Sequence, residues 1–205
     1  MAQLLFALRL LPRDEDAPAE GSEYALVCRA RANDARAFRI LFERYSPRVW
    51  RFLRDLFQDD AAADEATQET FVRAHARLGA LREEQRVVSW MLGIARHVFL
   101  ETRRARRDVV PVDADEPDEQ LQAQLATATP EDLLLDRETE VLMGEALGLL
   151  REDRRAALLL RIDHGLPYEE IAQVMGWSLA KVKNEIHRAR LQLRERLIGH
   201  VRGTP

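Results

Sequence analysis

Gly165-Leu-Pro167-Tyr168-Glu-Glu-Ile171-Ala172-Gln-Val-Met175-Gly176-Trp-Ser178-Leu-Ala-Lys181-Val182-Lys183-Asn184-Glu185-Ile186-His187-Arg188-Ala189-Arg190 is the stretch whose reading decides the fold. Gly165 and Pro167 cut it off from the helix before it. Pro167 suits a helix start, and two Glu follow in the first turn, where the helix dipole favours anions. Ile171 and Met175 stand one turn apart and are expected to face inward, while Ala172 is small enough for a close helix crossing. Gly176 falls where a short turn needs a left-handed backbone. Ser178 can cap the second helix, in which Val182, Ile186, Ala189 and Leu193 repeat at the spacing of a buried stripe. The pattern predicts a helix-turn-helix from Tyr168 to Arg190.

The second helix carries the chemistry. Lys181, Lys183, Asn184, His187 and Arg188 are expected on its outer face. Lys and Arg neutralise phosphates or bond guanine acceptors, and Asn pairs with adenine in the major groove. Glu185 sits among them. It either accepts from a cytosine amino group or pairs with Lys181 or Arg188. The bland alternative is an αα-hairpin with a solvated basic face; the turn chemistry and the basic second helix together favour DNA.

Outward from this motif, almost every periodic stretch reads as helix, and hairpin signals are missing, so the chain is expected to be all-α. Residues 1–21 read as a flexible leader. Residues 22–107 form a helical block with apolar spacing such as Phe38, Leu41, Phe42 and Tyr45. Its last helix is expected to start at Ser89 as N-cap and to run through Trp90, Ile94 and Val98, with Trp90 mainly structural. Residues 108–130, with three Pro and six acids, read as a flexible acidic linker. Helical periodicity returns from Glu131 to about Val201. The expected architecture is two small helical domains, 22–107 and 131–205, joined by that linker, with the helix-turn-helix in the second.

The net charge of −4 hides segregation. Arg96 to Arg107 holds five Arg against one Glu, Asp108 to Glu140 eleven acids against one Arg, and Lys181 to Arg202 seven bases against two acids. Two basic segments flank an acidic one, which suggests two anion-binding surfaces. The 205 residues carry one cysteine, Cys28, which excludes an internal disulfide framework and points to a cytoplasmic protein. Cys28 is expected to act as a small buried hydrophobe. No run approaches the roughly 18 apolar residues of a membrane span, and Leu4 to Leu11 makes a poor signal peptide.

Enzymatic chemistry finds no foothold. The five histidines, at 75, 97, 164, 187 and 200, lack metal-ligand spacing, and neither a phosphate-cradling Gly loop nor a Gly-x-Ser-x-Gly elbow occurs. No catalytic residue, metal, cofactor or small-molecule substrate is expected.

Three further stretches settle the resemblance. They are Asn33-Asp-Ala-Arg-Ala-Phe38, followed by Leu41, Phe42, Tyr45 and Val49; Asp64-Glu65-Ala-Thr67-Gln68-Glu69-Thr-Phe71-Val-Arg73-Ala74; and Ser89-Trp-Met-Leu-Gly-Ile-Ala-Arg96, followed by Arg103, Arg104, Arg106 and Arg107. With the C-terminal motif they stand in the order found in extracytoplasmic-function sigma factors of the sigma-70 family, which the chain resembles over roughly 23–107 and 131–198. Asp64, Glu65, Gln68, Glu69 and Arg73 lie on adjacent faces of one helix whose apolar side holds Ala66, Phe71 and Ala74. An acidic, amide-bearing ridge suits a basic protein partner.

The resemblance implies that Asp64, Gln68, Glu69 and Arg73 dock on the β′ clamp of core RNA polymerase. It implies that Arg96, His97, Arg103, Arg104, Arg106 and Arg107 line the −10 element, with a pocket for an unstacked base in the loop from Gly79 to Val88. It assigns −35 reading to Lys181, Lys183, Asn184, Glu185, His187 and Arg188. Expected partners are core RNA polymerase through its β′ clamp and β subunits, double-stranded and melted promoter DNA, and an anti-sigma factor. The linker would thread towards the polymerase channels, its charge mimicking nucleic acid. Where the family often has Ser and Arg, this chain has Asn184 and Glu185; it also has Val87 in place of a frequent aromatic and His97 in place of Asn. Two other readings are a sigma-like module that sequesters an anti-sigma protein and a stand-alone helix-turn-helix repressor. The second leaves the stretch around Thr67-Gln68-Glu69 unexplained.

Overall fold

The computed structural model describes residues 23–81, 86–109 and 143–202, with backbone alone for 107–109 and 196–202. The expected leader, the linker beyond residue 109 and the expected helical start at 131–142 lie outside the described residues. Among the described residues all regular structure is helical. They fall into two compact units divided after Thr102.

The first unit begins with α1 (Glu23–Arg31) and α2 (Ala35–Phe57). The turn between them is built by Asn33, left-handed at φ 63°, and by Asp34. Asp34 caps α2, its carboxylate accepting from the backbone N–H of Arg36 (2.9 Å) and Ala37 (3.1 Å). Arg29 Nε donates to the same carboxylate at 2.8 Å, so the end of α1 is tied to the start of α2. The expected spacing holds: Phe38, Leu41, Phe42 and Tyr45 are buried, and the stripe continues through Val49, Phe52, Leu53 and Leu56. Gln58 ends α2 in a left-handed conformation, and Asp59 caps α3 (Asp60–Arg77) by accepting from Ala62 N–H at 3.0 Å.

The inward side of α3 is made of small residues. Ala62, Ala63, Ala66 and Ala74 are buried with Phe71, Thr67 and Thr70. The two threonines carry no polar debt, because their hydroxyls donate to the carbonyls of Ala63 and Ala66, both at 2.7 Å. Phe71 meets Phe42 edge to face at 4.8 Å. A short 3-10 turn, Leu78–Ala80, follows.

The next helix, α4 (Val87–Val109), corrects the expected start at Ser89. Ser89 is buried inside the first turn, its hydroxyl donating to the carbonyl of Arg86 at 3.1 Å. Val87 is fully buried, and that packing outweighs the modest reluctance of a β-branched residue to start a helix. The loop expected at Gly79 to Val88 is therefore shorter, and its centre, 82–85, lies outside the described residues. Ile94 and Val98 are buried as expected. Trp90 is only half-buried, and the deepest positions are Val87, Met91, Leu92, Ala95 and Phe99. Cys28, expected to be buried, is half-buried.

The second unit holds a helical turn at 143–148 (α5), then α6 (Glu152–Ile162), α7 (Tyr168–Met175) and α8 (Leu179–Arg202). Arg155 joins α5 to α6 from inside: its guanidinium donates to the carbonyls of Gly148 (2.9 Å) and Leu150 (3.2 Å). The core is Ala146, Leu147, the run Ala156 to Leu160, Leu166, Ile171, Met175 and the inner stripe of α8.

Candidate nucleic-acid interface

The helix-turn-helix forms from Tyr168 onward as the sequence predicts. Gly165 and Gly176 are left-handed, at φ 68° and 65°, so a glycine breaks the chain on each side of α7. Behind Gly176, Trp177 N–H reaches back to the carbonyl of Ala172 at 3.0 Å, which closes the end of α7. Ser178 then caps α8, its hydroxyl accepting from Lys181 N–H at 3.3 Å. Ile171, Met175, Val182, Ile186, Ala189 and Leu193 are all buried.

Burial of that stripe turns the opposite face of α8 outward. Lys181, Lys183, Asn184, His187 and Arg188 are all exposed. Lys181, Asn184 and Arg188 form one row at three- and four-residue steps and Lys183 and His187 a second beside it, so one face presents two ammonium groups, an amide, an imidazole and a guanidinium. Lys181 Nζ sits 4.4 Å from the ring centroid of Trp177, which steadies the long lysine stem. Arg161 covers the ring of Tyr168 at 4.8 Å and donates to the carbonyl of Leu166 at 3.0 Å, fixing the entry to α7.

Glu185 differs from its neighbours. Its side chain is 17% exposed, and Arg154 Nε donates to its Oε2 at 2.8 Å. Arg188 Nη1 donates to the other oxygen at 3.2 Å. The Arg154 bond, reinforced by both guanidinium charges, holds this carboxyl below its ordinary range. The pairing with Arg188 was one of the options open in the sequence. No local pattern points to Arg154, which lies 31 residues away on α6.

In the first unit, α3 brings Asp64, Gln68, Glu69 and Arg73 together. Glu69 is exposed, Gln68 half-buried. Asp64 Oδ1 accepts from the indole Nε1 of Trp50 at 2.9 Å. Arg73 is held twice, by Glu69 on its own helix and by Glu101 on α4, both at 2.6 Å. Glu101 in turn takes His97 Nε2 at 2.9 Å. Thus two residues expected to contact different partners, Arg73 and His97, share one carboxylate. Glu101 was not singled out in the sequence; its only signal was to be the one acid in a basic run. Arg73, as the largest influence, holds its carboxyl below the ordinary range.

Arg96, half-buried, and the exposed Arg104 and Arg106 lie on α4 with Arg103. The side chain of Arg107 lies outside the described residues. Among the described residues, no three His, Cys, Asp or Glu side chains converge on a metal-sized space, and no helix is long and apolar enough to cross a membrane.

Comparison with known proteins gives this geometry its context. Residues 41–109 match the family model for sigma-70 region 2, and residues 141–193 that for sigma-70 region 4. The RNA polymerase sigma-H factor of Pseudomonas aeruginosa is 33% identical over 173 residues, covering 80% of this chain and 88% of that protein. The ECF RNA polymerase sigma-E factor of Escherichia coli is 30% identical over 174 residues, covering 82% of this chain and 91% of the other. The chain belongs to the ECF sigma factors of the sigma-70 family. It is a transcription initiation factor, and the family acts as transcription factors rather than enzymes. Among solved structures, the sigma factor RpoE of Bartonella quintana, in complex with the anti-sigma factor NepR, shares the fold of this sigma factor. The TM-score is 0.63 at 24% identity, covering 78% of this chain and 96% of that one.

Proposed function

We propose that α8 reads the −35 element of promoters for RNA polymerase, and that the first unit docks core enzyme and holds the −10 element. The observation that carries this reading is the exposed strip Lys181, Lys183, Asn184, His187 and Arg188, which lies opposite the buried stripe of α8. A helix with a fully buried inner face and a basic, amide-bearing outer face fits the major groove.

In this reading residues 22–107 act as sigma domain 2 and 131–205 as sigma domain 4. The leader 1–21 precedes them, and the acidic linker 108–130 joins them inside the basic channels of the polymerase. Gln68 and Glu69 form the docking ridge for the β′ clamp, with Asp64 and Arg73 shaping it from beneath. Arg96, His97, Arg103, Arg104, Arg106 and Arg107 supply a positive track for melted −10 DNA. The sigma factor works in the cytoplasm, where an anti-sigma protein restrains it, as NepR accompanies RpoE.

The test is reconstitution. The purified chain is added to core RNA polymerase and a promoter library, and transcripts are mapped. Promoter-specific starts sharing −35 and −10 sequences are the expected result. Absence of such starts would sink the reading, and tight operator binding without polymerase would favour a repressor.

A further inference from the structure

Arg154 lies on α6, outside the helix-turn-helix, yet it is wired to the outer face of α8. Its guanidinium grips α8 at two points, Glu185 Oε2 through Nε and Gln192 Oε1 through Nη1, both at 2.8 Å. Those points are seven residues, or about two turns, apart on one flank of the helix. Glu185 therefore has one oxygen committed to the scaffold. Its second oxygen takes Arg188 Nη1. Exposure rises along this chain of contacts, from 14% at Arg154 and 17% at Glu185 to 63% at Arg188.

The consequence is directional. A guanidinium reads guanine with two donors on one edge. With one Nη1 donor turned to Glu185, the Nε–Nη2 edge of Arg188 keeps both its donors for a base. Glu185, held from behind, has little reach towards a cytosine amino group.

We infer that Arg154 is a positioning residue for promoter selection: through Glu185 it aims Arg188, and so sets base preference at the −35 position that Arg188 contacts. This rests on the reading of α8 as the −35 helix. Without Arg154, the Glu185 carboxylate turns wholly onto Arg188 and occupies the donors that would bond the base.

The experiment uses the full-length sigma factor in holoenzyme, scored on a library of promoters randomised in the −35 element, with thermal midpoints measured alongside. Arg188→Ala identifies the base pair at which discrimination is lost. Arg154→Gln is expected to lower discrimination at that same pair by roughly tenfold, within the range of coupling between contacting residues. The exchange Arg154→Glu with Glu185→Arg re-forms the α6–α8 ion pair but leaves no carboxylate to tether Arg188. It is expected to recover the thermal midpoint and not the base preference. If the exchange restores both together, the pair serves stability alone and the inference falls. Intact preference in Arg154→Gln, with Arg188→Ala showing its loss, also overturns it and leaves the −35 reading standing. No effect of Arg188→Ala would overturn the −35 reading and the inference with it.

Discussion

The indole of Trp50 on α2 donates to the carboxylate of Asp64 on α3 at 2.9 Å, and this ties the two helices together. Asp64 thereby has a structural duty that Glu69 lacks. Trp50→Phe keeps most of the ring and removes the donor. It is expected to lower stability by about 1.5 kcal/mol, the lower end for a hydrogen bond to a charged group because this one is only partly buried. Chemical denaturation of the whole chain measures it; an unchanged midpoint would show that water replaces the indole without loss.

Glu69→Lys separates docking from folding. Glu69 is half-exposed, and its partner Arg73 keeps Glu101, so the thermal midpoint should barely move. On the docking proposed above, affinity for core polymerase should fall sharply, because a positive charge replaces a negative one on the ridge. Normal affinity in a core-binding titration would count against the ridge.

Gly176→Ala tests the turn. Beyond the two adjoining residues, no atom lies within 4 Å of the position an added Cβ would take, so packing against the rest of the unit plays no part. The cost is the left-handed backbone at φ 65°, about 1–2 kcal/mol for an L-residue. The loss should appear in thermal unfolding, along with reduced −35 binding.

Acid should weaken the first unit through carboxylates held by partners. The Asp34 carboxyl is lowered chiefly by the Ala37 N–H it caps and next by Arg29, and that of Glu101 chiefly by Arg73. A depressed folded value means stability that is present above the unfolded value and lost as pH falls through the folded one. The ordinary values are 3.8 and 4.5. Stability should therefore hold at neutral pH and decline from about pH 5 downward. Asp34→Asn keeps an N-cap acceptor but loses the charge, so its pH profile should be flatter than that of the parent; an identical slope would refute the assignment.

The parts legible in the sequence are those written in local periodicity. The stripe from Ile171 to Leu193, the left-handed Gly176, the Ser178 cap and the apolar face of α2 all follow from spacing and turn chemistry. What stayed hidden depends on partners distant in the chain. Nothing local tells that Glu185 turns to Arg154, that Trp50 bonds Asp64, or that Glu101 joins Arg73 to His97. The start of α4 escapes local reading for a related reason: Ser89 has the chemistry of a cap, and only the burial of Val87 shows that the helix has already begun.

The small-residue face of α3 has a mechanical consequence. Alanines and two threonines that satisfy themselves bring its backbone close to the core, with Phe71 wedged against Phe42. Long side chains would act as springs beneath such a helix, shifting rotamers to absorb a load. Here few are present, so force on the outer ridge passes into α2 with little give. A partner docked on Glu69, as proposed above, would take hold of a rigid lever rather than a cushion.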